Sequence, residues 1–117
     1  MDKITIILNE GPSNIRSWNG LRVAMGAAGA DMEIEVFLLD ASVYAAKKGQ
    51  NPPKGLIELN LANKLTELIK MGVKVRACGT CIDQGGLTKD EIVDGVIVSN
   101  VADLANSIKE SKNVLVF

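Results

Sequence analysis

Val73-Lys74-Val75-Arg76-Ala77-Cys78-Gly79-Thr80-Cys81-Ile82-Asp83-Gln84-Gly85-Gly86 decides the fold. It reads as a strand that runs out into a glycine-bounded loop. Both cysteines of the chain lie where that strand ends. No other segment combines reactive chemistry with such a position.

Upstream, Ile4 to Leu8 is a short apolar run suited to a strand buried on both faces. Asn9 to Asn14 is a loop by composition, and Ser13 or Asn14 can cap the helix that follows. That helix runs roughly from Ile15 to Ala28, with Ile15, Trp18, Leu21 or Arg22, and Met25 near one face. Its second half, Ala24 to Ala30, is all small except Met25, which suits close packing, and Gly29 is the expected stop. Glu33 to Leu39 is a second strand with a polar start. Asp40 is placed to cap a short helix from Ala41 to Lys47. Lys47 to Gly55 reads as a surface loop. Leu56 to Met71 is the longest helical pattern, with Ile57, Leu61, Leu65, Leu68 and Ile69 as its apolar stripe and Gly72 as its close.

Downstream, Thr88-Lys89-Asp90-Glu91 has capping-box spacing and starts a short helix. Asp94-Gly95 turns the chain into a strand at Val96 to Val98. Ser99 or Asn100 caps a last helix, Val101 to Glu110, with Val101, Leu104, Ala105 and Ile108 expected inward. Val114 to Phe117 is the fifth strand. Strand and helix alternate, so the expected class is α/β, a three-layer α/β/α domain with a five-stranded, mostly parallel sheet. The 117 residues suffice for one domain, residues 1–117, and not for two ordinary ones. In such folds chemistry gathers beyond the carboxyl ends of the strands. Three loops share that rim: Asn9 to Asn14, Asp40 to Ala46, and Gly79 to Leu87.

Composition narrows the functions. A net charge of −1 gives no field that favours nucleic acid or an anionic membrane, and one Trp, one Tyr and two Phe make no stacking platform. The opening Asp2-Lys3 leads straight into an apolar run too short for a signal core or a span. No membrane association is expected, and a cytoplasmic setting is. In that reducing compartment two cysteines are not a permanent staple. The sequence has no histidine, which removes Ser-His and Cys-His catalytic pairs. Zinc needs four ligands, and one chain offers two thiols, so a metal would have to bridge subunits. The Asn9 to Asn14 loop matches neither a dinucleotide nor a P-loop pattern. No cofactor and no metal are therefore expected.

Cys78 is the expected nucleophile. Gly79 permits close approach where the backbone turns. A helical turn starting near Thr80 would aim free amides at the Cys78 sulfur and favour its thiolate. Cys81, three residues on, is within reach of a sulfur carried by Cys78 and can also pair with it. Thr80 and Ser13 are candidate hydroxyl donors, and Glu10 a candidate acid or base across the rim. The competing reading is a pair of half-buried core cysteines. A thioredoxin arrangement would put the motif after the first strand rather than the third.

Val75-Arg76-Ala77-Cys78-Gly79-Thr80-Cys81 to Gly86, followed by Leu87 to Val96, resembles the DsrE/DsrF-like family, which includes TusD-type sulfur-relay subunits. The resemblance covers nearly the whole chain in element order. It implies a flavodoxin-like variant of the α/β fold and assembly as a homo-oligomer, a trimer or hexamer. It also implies that Cys78 accepts persulfide sulfur and hands it on, with sulfur donor and acceptor proteins as partners. Sulfur-relay members often carry Ala-Ala-x-Arg-Arg-Gly after the cysteine. Here the same positions read Cys81-Ile82-Asp83-Gln84-Gly85-Gly86, so both arginines are missing and Cys81 is an addition. The leading expectation is a small sulfur carrier, with turnover of its own left open. The alternatives are a thiol-disulfide module using Cys78 and Cys81, and a noncatalytic assembly or binding subunit.

Overall fold

The computed structural model describes residues 1–56 and 59–117. Five strands form one sheet: β1 (Lys3–Leu8), β2 (Glu33–Leu38), β3 (Lys74–Cys78), β4 (Ile97–Ser99) and β5 (Asn113–Val116). Their order is β4-β3-β2-β1-β5, and every pairing is parallel. Between them lie α1 (Ile15–Gly29), a 3-10 segment (Asp40–Ala46), α2 (Leu61–Lys70), α3 (Gly79–Gln84), a 3-10 turn (Lys89–Glu91) and α4 (Val101–Glu110). The three-layer α/β/α class expected from the alternation is present.

Alternation along the strands sends Ile4, Ile6, Leu8, Ile34, Val36, Leu38, Val75 and Ala77 to one face. There they form the main core with Leu21 and Ala24 of α1 and Leu61, Leu65 and Leu68 of α2. The α2 stripe is thus as expected, but the helix starts at Leu61, not Leu56. Asn60 caps it by accepting from the Asn63 N–H, which fixes the start, and Leu56 is exposed. The expectation for Ile57 lies outside the described residues.

In α1, Asn14 caps by accepting from the Arg16 N–H. The buried face is Ser17, Gly20, Leu21 and Ala24, while Ile15 is exposed. Gly20 makes the close approach: a Cβ there would sit 2.4 Å from Leu8 Cδ2 and 3.2 Å from the Phe117 ring. In the run of small residues only Ala24 is fully buried, with Ala27 and Ala28 packed partly on the core. The helix ends on Gly29, as expected, but the left-handed residue that turns the chain is Asp31, at φ 61, not the glycine. Asp40 is not a cap. Leu39 holds the N-cap position and Asp40 opens the 3-10 segment at φ 53.

The opposite face is covered by α4 and is largely polar. Thr5 Oγ1 shares a 2.6 Å hydrogen bond with Ser107 Oγ of α4. Beside it, Glu35 accepts from Lys3 at 2.9 Å and from Arg76, and Arg76 Nη1 lies 3.6 Å from Asp103. A small apolar patch of Ile7, Phe37 and Leu104 completes the contact. The inner face of α4 is therefore Leu104 and Ser107. Val101, Ala105 and Ile108, expected inward, are exposed. Hydroxyls and charges on the sheet call for a serine over Thr5 rather than a second apolar row.

Candidate functional site

β3, α3 and the segment after β2 build the site. Cys78 is the last residue of β3 and pairs in register with Ser99, the last residue of β4. The chain leaves β3 into α3, whose Ile82 joins the main core, whereas it leaves β4 into α4 on the opposite face. Neighbouring parallel strands whose exits diverge open a crevice at their carboxyl ends, where α/β proteins bind and react. Cys78 and Ser99 stand at that divergence. Ser99 Oγ donates to Asp103 Oδ2 at 2.6 Å, which ties the end of β4 to α4 and, through Asp103, to Arg76. Gly79 packs closely here: a Cβ on it would lie 3.2 Å from Val98 Cγ1.

Both thiols are free. Cys78 is 6% exposed. It occupies the N-cap position of α3, but its side chain makes no capping hydrogen bond. The expectation that amides of the new helix would be aimed at its sulfur is corrected here. Cys78 still belongs to the β3 ladder, and its side chain follows the strand.

The sulfur that does receive an amide is that of Cys81. The Asp40 N–H donates to Cys81 Sγ at 3.2 Å. Asp40 lies in the left-handed region, at φ 53, a conformation that concentrates at functional sites. Cys81 lines a cavity of about 240 Å³ with Asp40, Ala41, Tyr44, Gln84 and Gly85. Burial pushes the Cys81 thiol up from its ordinary value of 9.0, the Asp40 amide offsets part of that, and the adjacent Cys78 and the Asp40 carboxylate push it further up. Cys81 therefore keeps its proton at neutral pH. Tyr44 Oη donates to the Gly85 carbonyl at 2.5 Å and closes one side of the cavity. A Cβ at Gly85 would lie 3.0 Å from Tyr44 Oη.

The structure thus brings together Cys78, Gly79 and Cys81. Thr80 is exposed on the first turn of α3. Ser13 lines a different pocket, with Pro12, Gln50, Asn51, Pro52, Pro53 and Leu59. The Glu10 carbonyl accepts from Ser17 Oγ, and Gly11 next to it faces Ala41 of the cysteine cavity. Among the described residues no hydrogen bond joins the side chain of Glu10, Ser13 or Thr80 to either sulfur. The sequence places the Asp40 to Ala46 loop on this rim and gives Asp40 only as a helix cap; it assigns Tyr44 no role. Their roles depend on a backbone amide and on a carbonyl of another loop, which no residue pattern displays. Among the described residues no group of three or more His, Cys, Asp or Glu is placed to hold a metal ion, and no helix is long and apolar enough to cross a membrane.

Comparison with known proteins places this geometry. The DsrE/DsrF-like family matches residues 2–117. An uncharacterized protein of Methanopyrus kandleri is 36% identical over 118 residues, covering 100% of this chain and 95% of its own. Protein YchN of Escherichia coli is 31% identical over 120 residues, covering 100% of both chains. The crystal structure of the E. coli ychN protein superposes with a TM-score of 0.91 at 30% identity, covering 100% of both chains. A protein of unknown function from Methanobacterium thermoautotrophicum shares the fold, with a TM-score of 0.77 at 17% identity and 100% coverage of both chains.

Proposed function

The chain belongs to the DsrE/DsrF-like family, and from that premise we propose that it carries sulfane sulfur on Cys78, taking it from a donor persulfide and passing it to an acceptor thiol. The observation that carries this reading is the setting of Cys78. It stands at the carboxyl end of β3, beside the divergence of β3 and β4, almost closed to water, with a second free thiol beside it on a cavity wall. A persulfide is consumed by any thiol that reaches it, so a carrier cysteine benefits from a sheltered position with a narrow approach.

The chemistry is an exchange at sulfur. The Cys78 thiolate attacks the outer sulfur of a donor persulfide, and the donor leaves as a thiolate. An acceptor thiolate later attacks the outer sulfur on Cys78 and restores the Cys78 thiolate. No cofactor enters either step. The donor and acceptor are proteins in this reading, and the setting is the reducing cytoplasm, where free thiols persist. Exposed Ile97, Val98, Val101, Ile108, Leu115 and Val116 on β4, α4 and β5 are apolar side chains that further copies of the chain would cover, in keeping with a homo-oligomer; light scattering after gel filtration measures that directly.

The carrier reading is tested by incubating the chain with a low-molecular-weight persulfide, removing the excess, and adding an acceptor thiol. The expected result is one added sulfur, removed by reductant, transferred to the acceptor, and lost in Cys78→Ser. Failure of both the wild type and Cys81→Ser to take up sulfur refutes it.

A further inference from the structure

We infer that Cys81 discharges the sulfur held on Cys78 as sulfide, so that the chain acts as a persulfide reductase and not only as a carrier. This rests on the reading of Cys78 as the sulfur site, and it assigns a product and a second reacting residue to that site. Cys81 follows Cys78 by three residues, on the first turn of α3, and both thiols are free. The cavity wall holds Cys81 but not Cys78. The Asp40 N–H already rests on Cys81 Sγ, at 3.2 Å.

The step balances without an outside group. Cys81 Sγ attacks Sγ of persulfidated Cys78, and the bond from that sulfur to the outer sulfur breaks. A Cys78–Cys81 disulfide forms. The outer sulfur leaves with the bonding pair and takes the Cys81 proton, departing as hydrosulfide. Sulfane sulfur is reduced to sulfide while the two cysteines are oxidised, and an anionic persulfide gives an anionic product, so charge is conserved. The Cys81 thiol, three residues from the persulfide, is the proton source for the leaving sulfur. The Asp40 amide stabilises the charge that develops on Cys81 Sγ as that proton departs. A dithiol reductant then resets the site. It attacks Cys81, the half of the disulfide that lines the cavity, and so releases Cys78 for the next load.

The test uses the full chain, loaded with inorganic polysulfide and freed of excess by gel filtration. Intact mass and trapped sulfide are followed without reductant. The expected course in the wild type is loss of the added sulfur, appearance of a species two hydrogens lighter than the free dithiol, and one sulfide per disulfide. Cys81→Ser, a near-isosteric change at a partly exposed position, should load equally and hold its persulfide, with sulfide release falling to the level of Cys78→Ser. Cys81→Ala should behave as Cys81→Ser does, which separates loss of the thiol from any effect of the new hydroxyl. A wild-type chain that holds its persulfide as long as Cys81→Ser does overturns this inference and leaves the carrier reading standing. Failure of both wild type and Cys81→Ser to load overturns both.

Discussion

Glu35→Gln is expected to destabilise the chain by about 2–3 kcal/mol at neutral pH, somewhat less than the ~3–5 kcal/mol that orphaning one partner of a buried ion pair costs. The carboxylate is 5% exposed and lies under α4. It accepts from Lys3 Nζ at 2.9 Å and from Arg76 Nε. Glutamine keeps the volume but removes the charge that both cations face. The cost stays below the full range because Lys3 retains Glu110 at 3.1 Å and Arg76 retains Asp103 at 3.6 Å. Urea unfolding measures it. With a slope of about 1.5 kcal/mol/M, the midpoint should fall by roughly 1.3–2 M. Acid supplies the second arm. Burial alone would raise the Glu35 carboxyl, but the hydrogen bonds from Lys3 and Arg76 outweigh it and hold the group below its ordinary value of 4.5. A carboxyl depressed in the folded state contributes its stability above pH 4.5 and loses it as pH falls through the folded value. The gap between wild type and Glu35→Gln should therefore narrow below pH 4.5. In a Glu35→Leu background, adding Arg76→Leu removes the orphaned guanidinium and should recover part of the loss. A neutral-pH cost below about 0.5 kcal/mol, the range of an ordinary surface change, refutes the reasoning. So does a gap that stays constant into acid.

Leu65→Ala removes a fully buried side chain from the α2 stripe and should cost about 2–5 kcal/mol in the same assay. Gly85→Arg puts a Cβ 3.0 Å from Tyr44 Oη and 3.1 Å from the Cys81 carbonyl, so Tyr44 is pushed off the Gly85 carbonyl. A cost of about 1–3 kcal/mol is expected from the crowding, together with faster alkylation of Cys81 as the cavity opens. In the wild type, alkylation of Cys81 followed by peptide mass against pH should still be accelerating above pH 9.0, because burial and Cys78 raise its thiol above that value. A plateau at lower pH would contradict that environment.

The fold was legible where one principle acted alone. Leu61, Leu65 and Leu68 repeat at helical spacing, and all three are fully buried. Thr88 to Glu91 has capping-box spacing, and the Thr88 N–H donates to Glu91 Oε1 at 3.0 Å. Strand boundaries fell within one residue for β1, β2, β3, β4 and β5. Reading failed where the partner surface decided the outcome. Apolar periodicity placed Val101, Ala105 and Ile108 inward. The sheet beneath α4 presents Thr5, Glu35 and Arg76, so Ser107 is the residue that packs there. Glu35 looked like the polar start of a strand. The β2 and β3 register sets it opposite Lys74 and diagonal to Arg76, which pairs with it under α4, and register is a property of two segments at once. At the site, the strand-end position of Cys78 was legible from Val73 to Gly86. The amide on Cys81 was not, because it comes from Asp40, forty-one residues away in sequence.

The missing arginines take on a physical meaning at Gly85. Tyr44 crosses the backbone there and donates to the Gly85 carbonyl. The space that a side chain at that position would need is filled by the phenol.

Locating an added sulfur tests the central claim most directly. Cys81→Ser protein is loaded with a low-molecular-weight persulfide, alkylated, digested and mapped by tandem mass spectrometry. The account predicts one additional sulfur on Cys78, released by reductant. A loaded wild type whose sulfur maps only to Cys81, together with a Cys81→Ser chain that carries none, would contradict it.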